Sequence, residues 1–407
     1  MLLNPNPGNI IVGLDVGTTK ICAVVGEVID GEIEIKGVST SSSSGLRKGV
    51  VVNIEATVES IRNAVKNAES STGVEINSVY VGISGGHIKG FNSHGAIGIR
   101  GKEVAFTDVD RVIDSAKAVY VPLDREVLHA IPTGYTIDGQ NGIKDPEGMI
   151  GARLEAKVYI LTGAVTSVQN LLKCCEKAGL EVIDIVFEPL ASAEAILTDD
   201  EKELGVAVVD IGGGTTDIIL YKDGWLRHTS VLAIGGNHFT NDIAVGLRMS
   251  VTEAERVKKQ YGHAIADSID DLEEVEIIQA GQDRKILRRH LSEIIQPRTE
   301  ELIDLIKNEL TTCSGYDIAS TGVVLTGGGS LLAGLDRLAE SILELPVRIG
   351  APAGIRGSGE IVKNPMYATG TGLVLYGFHA ESGRELYPAT FNGIFGKMKE
   401  WVKGIFR

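Results

Sequence analysis

The stretch Val208 to Ile218, VVDIGGGTTDI, holds the residues of this chain best suited to chemistry. An apolar run carries one acid, Asp210, and leads into Gly212, Gly213 and Gly214; Thr215, Thr216 and a second acid, Asp217, follow. Glycine tolerates positive φ and lets a ligand approach the backbone, so this run fits a tight strand-to-strand turn with exposed amides. Clustered N–H groups cradle an anion, and the threonine hydroxyls add donors. An acid at a strand end beside a phosphate is placed to hold Mg²⁺, directly or through water. Taken alone, the stretch also fits a glycine-rich hairpin with no ligand.

The pattern recurs. Ile10 to Lys20, IIVGLDVGTTK, repeats the apolar strand, the acid (Asp15), Gly17 and the threonine pair Thr18 and Thr19, and ends on Lys20. Two copies almost half a chain apart suggest related halves that face each other across one phosphate chain. A third glycine cluster, VVLTGGGSLL from Val323 to Leu332, takes Gly327, Gly328, Gly329 and Ser330 from a strand towards a helix. Gly235 and Gly236 open a further turn, into a helix expected over Thr240 to Leu247. Neither a G-x-x-x-x-G-K-[ST] phosphate loop nor a G-x-G-x-x-G dinucleotide fingerprint occurs.

These turns need strands and helices to aim them, and the chain is long enough to supply two lobes. It has 407 residues, 43% hydrophobic, with 50 glycines that imply many tight turns. A net charge of −15 argues against a general nucleic-acid binder. Four cysteines without a C-x-x-C pair give no metal or disulfide framework and suit a reducing cytoplasm. The start, MLLNPNPGN, is no signal peptide, and no apolar run reaches the length of a membrane span, which predicts a cytoplasmic protein. Periodicity predicts a hairpin turn at Asp30-Gly31, a polar loop over Ser39 to Gly45, a helix over Ile54 to Ala68 and a strand over Val79 to Ile83. Residues 85–157, without a phosphate motif, read as an insertion with a helix over Asp108 to Ala118. Its His87, His94 and His129 match no metal spacing, so packing or surface roles are expected. Strand then helix is expected over Leu161 to Ala178, and a strand over Val182 to Phe187. Thr252 to Tyr261 reads as a helix capped by Thr252, and Asp267 to Glu276 as an acidic loop. Arg284 to Leu310 is a long amphipathic pattern, interrupted by Pro297 and rich in Arg284, Lys285, Arg288, Arg289 and Arg298. The end, FNGIFGKMKEWVKGIFR, places Phe391, Ile394, Phe395, Met398, Trp401, Val402, Ile405 and Phe406 on one helical face. Lys397, Lys399 and Lys403 take the other face.

The motifs resemble those of the actin, Hsp70 and sugar-kinase superfamily. Asp15 to Lys20 is similar to its phosphate-1 motif, Asp210 to Asp217 to phosphate-2, and Gly327 to Ser330 to the adenosine motif. Glu188-Pro189-Leu190-Ala191-Ser192-Ala193 and Ala368-Thr369-Gly370-Thr371-Gly372 resemble its two connecting helices. SGGHIKGFNSHG together with His129 to Gly163 resembles the special subdomain of the FtsA family, actin-like proteins of bacterial cell division, and the likeness spans essentially the whole chain.

This resemblance implies an α/β, actin-like (ribonuclease H-like) two-lobe nucleotide-binding fold with an inserted subdomain and a C-terminal amphipathic helix. It implies a first lobe from 1–84, 158–190 and 361–383, an insert over 85–157, and a second lobe from 191–236 and 311–360 with its outer part over 237–310. A linker over 384–390 and a membrane-targeting helix over 391–407 complete it. ATP and Mg would be the cofactors. Lys20 and the threonines would hold the β- and γ-phosphates, Asp15 and Asp210 would organise Mg²⁺ through its waters, and Glu188 would orient an attacking water. Glu255 and Lys258 would meet the ribose and base; an ordinary surface ion pair is the alternative. Arg288, Arg289 and Arg298 would dock the acidic C-terminal tail of FtsZ, although a solvated helix face is the default for such charges. The terminal helix would bind the inner face of the cytoplasmic membrane, or else pack on the protein's own core. Head-to-tail self-assembly and later division proteins at the insert are also implied. A small-molecule kinase of the same fold lacks an assignable base here, an Hsp70-type chaperone lacks its peptide domain, and a pilus-assembly relative is opposed by the insert.

Overall fold

The computed structural model describes residues 9–101, 103–279, 281–357 and 363–382. The proposed membrane helix over 391–407 and its linker lie outside the described residues.

The sequence repeat is a repeat of topology. In the first lobe, Ile10–Val16, Lys20–Ile29 and Glu32–Ser42 form an antiparallel meander. Ser78–Ile83 and then Glu181–Phe187 add parallel strands on the other side of Ile10–Val16, and Arg356–Gly357 adds a short edge. In the second lobe Val206–Ile211, Thr216–Lys222 and Trp225–Leu232 form the meander, and Val323–Thr326 and Val347–Ile349 are the parallel additions. Both central strands, Ile10–Val16 and Val206–Ile211, are buried along their whole length, as expected of strands covered on both faces. The expected fold is the observed one.

The lobes are joined by Glu188–Ile196 and Ala368–Glu381. These helices cross almost backbone to backbone: a Cβ on Gly372 would lie 1.8 Å from the Ala191 carbonyl oxygen. Gly13 admits the same helix onto the first strand, since its Cβ would sit 2.5 Å from the Gly370 oxygen. Each glycine is therefore required by close approach rather than by its own dihedral angles.

Between Ser78–Ile83 and Glu181–Phe187 the chain builds a separate four-stranded sheet in the order Lys89–Gly98, Arg153–Ala164, Arg125–Ile137, Gln140–Ile143. The helix Phe106–Lys117 covers it, with Val112, Ile113 and Ala116 buried against Ala130, Tyr135, Leu154 and Val158. This sheet also leans on the second lobe, where the Tyr159 hydroxyl accepts from the Thr229 amide at 3.0 Å.

Several local expectations are corrected. Ser39 to Ser42 is not loop but the end of Glu32–Ser42, paired with Lys20 to Ala23, because the backbone groups that pair do not depend on the polarity of the side chains. The helix Val251–Tyr261 is capped by Ser250, whose hydroxyl accepts from the Glu253 amide at 3.2 Å, and not by Thr252. The charge-dense stretch from Asp267 contains a hairpin, Glu274–Gln279 with Gln282–Leu287, turned at Gly281 with φ of 77°. Arg284 and Lys285 therefore lie on a strand, and the helix runs Arg288–Thr312 with Pro297 inside it. The expected helices after Asn53 and Gly235 run Ile54–Thr72 and Gly236–Gly246. Asp30 and Gly31 make the expected hairpin turn, both at positive φ.

Candidate functional site

Each of the two meanders turns its first hairpin towards the other lobe. In the first, Lys20 opens the return strand and its ammonium reaches back to the Asp15 carboxylate at 3.0 Å. Burial acts to lower the lysine's pKa, but Asp15's charge and hydrogen bond outweigh it and the ammonium is held. In the second, the Gly212 amide bonds the Thr215 carbonyl at 2.9 Å and closes the turn. None of Gly212, Gly213 and Gly214 lies at positive φ. What they provide is nearness: a Cβ on Gly213 would lie 1.7 Å from Thr19 Oγ1, and one on Gly214 would lie 2.8 Å from Thr18 Oγ1. The two turns face each other in contact.

The other glycine turns close around the second hairpin. Asn237 and Gly236 donate their amides to Gly213 and Gly212 carbonyls at 2.8 and 2.9 Å, and a Cβ on Gly235 would meet the Gly212 oxygen at 2.6 Å. Thr216 Oγ1 donates to the Ile234 carbonyl at 2.8 Å. Gly327, at φ of 80°, packs on Asp210, where a Cβ would stand 2.2 Å from Oδ1; Gly329 meets Ile211 in the same way, and nothing crowds Gly328. The Ser330 hydroxyl is spent within this turn, on the Gly327 carbonyl at 2.8 Å. Lys258 reaches the same region: its ammonium lies 2.6 Å from Glu255, and donates to the Gly236 carbonyl at 3.0 Å and Thr240 Oγ1 at 2.8 Å. Burial works against Glu255's charge, but Lys258 more than offsets it and holds the carboxyl below its ordinary value.

The electrostatics are unbalanced. Asp210 stands directly opposite Asp217 across the hairpin, an arrangement of like charges that weakens a sheet. Both are buried. Ser192 donates to Asp210 at 2.6 Å and Thr369 at 3.3 Å, so each connecting helix supplies one hydroxyl. Ser84 donates to Asp217 at 2.7 Å. Burial raises Asp210, and the Asp15 charge adds to it against the Ser192 hydrogen bond. Asp217 is pushed to about 7, by burial first and then by Asp210, with the Ser84 bond opposing. Glu188, the first residue of its helix, is also raised well above its ordinary value, by burial first and then by Asp15, Asp217 and Asp210, with Lys20 opposing. It lines a cavity of about 10 Å³ with Ser84 and His87, room for roughly one water. Four carboxylates thus face one ammonium, a set that favours an added cation. Among the described residues no three His, Cys, Asp or Glu side chains converge as direct ligands of one ion.

The sequence pattern of the family described as "Cell division protein FtsA" matches residues 207–372, and that of "SHS2 domain inserted in FTSA" matches 85–162. The cell division protein FtsA of Pseudomonas aeruginosa is 45% identical over 411 residues, covering 98% of this chain and 99% of its own. This chain belongs to the FtsA family. The FtsA of Escherichia coli is 40% identical, covering 90% of each chain, and that of Bacillus subtilis 40%, covering 91% and 84%. Among solved structures, the PilM-PilN type IV pilus biogenesis complex matches with a TM-score of 0.67 at 18% identity, covering 90% of this chain and 98% of that one. MreB5 of Spiroplasma citri bound to ADP matches at 0.56 and 16%, covering 93% and 98%, and its AMPPNP-bound form at 0.54. These likenesses concern the fold.

The structure gathers Asp15, the Thr18–Thr19 pair, Lys20, Glu188, Asp210, the Gly212–Gly214 turn, Gly235, Gly236, Glu255, Lys258 and the Gly327 turn around one region. It treats the basic cluster differently, for Arg288, Arg289 and Arg298 are already paired. Arg288 bonds Glu273 at 2.9 Å, Arg289 meets Asp267 and Asp271, and Arg298 meets Asp242 at 2.6 Å as well as Glu301. Asp217, Ser84, Ser192, Thr369 and Asn237 were not singled out as site residues from the sequence. Asp217 could have been, since a two-strand hairpin about the glycines puts it opposite Asp210.

Proposed function

We propose that this FtsA-family chain binds Mg·ATP between its lobes, assembles head to tail into filaments on the inner face of the cytoplasmic membrane, and tethers the FtsZ ring there. The observation carrying the nucleotide reading is the contact of the two hairpin turns at Gly213 and Thr19, with Asp15, Glu188, Asp210 and Asp217 gathered near Lys20. An anionic nucleotide cannot enter so acidic a site without a cation, and Mg²⁺ held through its waters satisfies both. Lys20 and the turn amides and hydroxyls orient the phosphates, Glu255 and Lys258 meet the ribose and base, and Glu188 orients the attacking water. Solved proteins of this fold described as bound to ADP and AMPPNP agree with this reading.

The division into lobes, insert and terminal helix follows the boundaries given above, with the insert's last strand, Arg153–Ala164, crossing the boundary at 157. No helix among the described residues is long and apolar enough to cross a membrane. Attachment is assigned to the amphipathic 391–407 segment, and docking of an acidic FtsZ tail to the face bearing Arg288, Arg289 and Arg298. Open head-to-tail contacts generate filaments rather than closed rings. Co-sedimentation with anionic vesicles, with and without FtsZ and Mg·ATP, tests the whole. FtsZ should pellet with the vesicles only when this protein is present, and FtsZ left in the supernatant would remove the tethering role.

A further inference from the structure

The strand Glu181–Phe187 is the outer strand of the first-lobe sheet, and the insert's strand Arg125–Ile137 lies against it. There His129, fully buried, accepts the Phe187 backbone N–H on Nε2 at 3.0 Å. Phe187 is the cap residue of the helix that begins at Glu188, and its side chain makes no capping bond. An imidazole borrowed from the insert therefore holds the peptide leading into Glu188. Burial keeps that imidazole neutral, its pKa pushed down to about 4, so Nε2 stays an acceptor and the ring proton sits on Nδ1. His87, from the entry into the insert, lines the same small cavity as Glu188. His129 thus bonds the residue before Glu188, and His87, just ahead of the inserted sheet, lines the cavity beside the carboxylate assigned to the attacking water.

We infer that His129 is a positioning residue for Glu188, through which the inserted sheet sets the rate of ATP hydrolysis. The inference rests on Glu188 being the group that orients water. A displacement of about 1 Å at such a group costs roughly 10²-fold in rate, so a small shift of Arg125–Ile137 is enough to act. Anything that pulls on the insert would then be read at the nucleotide.

Two side chains isolate the acceptor. In His129→Gln the amide oxygen reaches the position of Nε2; in His129→Asn the same amide falls short, at the level of Nδ1. Turnover at saturating Mg·ATP should drop about tenfold or more in the Asn variant and stay within about threefold of the parent in the Gln variant, with ATP affinity within about twofold in both. Equal slowing of both variants would assign His129 to packing, and parental turnover in the Asn variant would leave it without a role; either overturns the inference alone. A parent protein that binds ATP but shows no turnover overturns the hydrolysis reading and this inference with it. Should the Asn variant fail to fold, hydrogen exchange at the Phe187 amide decides the matter. The parent and the Gln variant must both protect it, and rapid exchange in the parent would end the proposal.

Discussion

Proton-linked nucleotide binding follows from the Asp210–Asp217 pair. Asp217 titrates at about 7 in the folded protein against an ordinary 3.8, because it is buried beside Asp210. Between those values the folded protein holds a proton that the unfolded chain has released. This group's contribution to stability therefore declines as pH rises from about 4 to about 7, by up to about 4 kcal/mol. A bound Mg²⁺ reverses the preference, since it is attracted by the ionised pair and repelled by neither. If only the ionised form binds, lowering pH from about 8 to about 6 takes the ionised fraction from roughly nine-tenths to one-tenth, a loss of about tenfold or 1.4 kcal/mol in Mg·ATP affinity. Calorimetry in two buffers of different ionisation enthalpy should show proton release on binding near pH 7. Asp217→Asn preserves the oxygen that accepts from Ser84. It should flatten most of the pH dependence, leaving the slope due to Glu188 and Asp210, which are raised in the same direction. An affinity independent of pH in the parent, or an undiminished slope in Asp217→Asn, would refute the reasoning.

Gly213→Val would place a branched side chain where even a Cβ is 1.7 Å from Thr19 Oγ1, so the turns must part; ATP affinity should fall at least tenfold, about 1.4 kcal/mol, in calorimetry on a protein with parental melting behaviour. Arg298→Glu would set a new acid beside Asp242 and Glu301 and should weaken binding of an FtsZ tail peptide about tenfold by fluorescence anisotropy, more so at low salt. No change in either Arg298→Glu or Arg289→Glu would move the docking site elsewhere. Deleting 391–407 should abolish pelleting with anionic vesicles while ATP binding persists, because each Lys or Arg near the headgroups contributes about 1 kcal/mol alongside the apolar face. A tail-deleted protein that still pellets would remove the membrane helix from the account.

Much of the framework was legible because it depends on local pattern. The buried strands before Asp15 and Asp210 announce themselves by composition, and Asn53 and Gly73 bracket their helix as cap residues should, with Gly73 at φ of 70°. The hairpin Glu274–Leu287 was not read, because charge density masked the alternation of Val275 and Ile277 with charged neighbours and the stretch passed for an acidic loop. The strand end at Ser39 to Ser42 was not legible, since four polar residues give no sign of which partner strand is near. Nor were the partners of the arginines. Arg298 is spaced like a free helix face, yet Asp242 comes from another helix altogether, and only tertiary folding brings them within 2.6 Å.

The phosphate turns show how a residue can be identified for a reason the folded protein does not use. Freedom at positive φ was one argument for three glycines after Ile211, and the backbone there never enters that region. The demand comes instead from Thr18 and Thr19 in the other hairpin, whose hydroxyls occupy the space that side chains on Gly213 and Gly214 would take. The two motifs are thus complementary as well as similar, hydroxyls on one side and bare backbone on the other. That asymmetry lets repeated hairpins close on one another, which two turns both carrying side chains could not do. It also makes the closure sensitive to a single methyl group on the second turn, whereas alanine at Gly328, where nothing lies within 4 Å of a Cβ, should leave that closure intact.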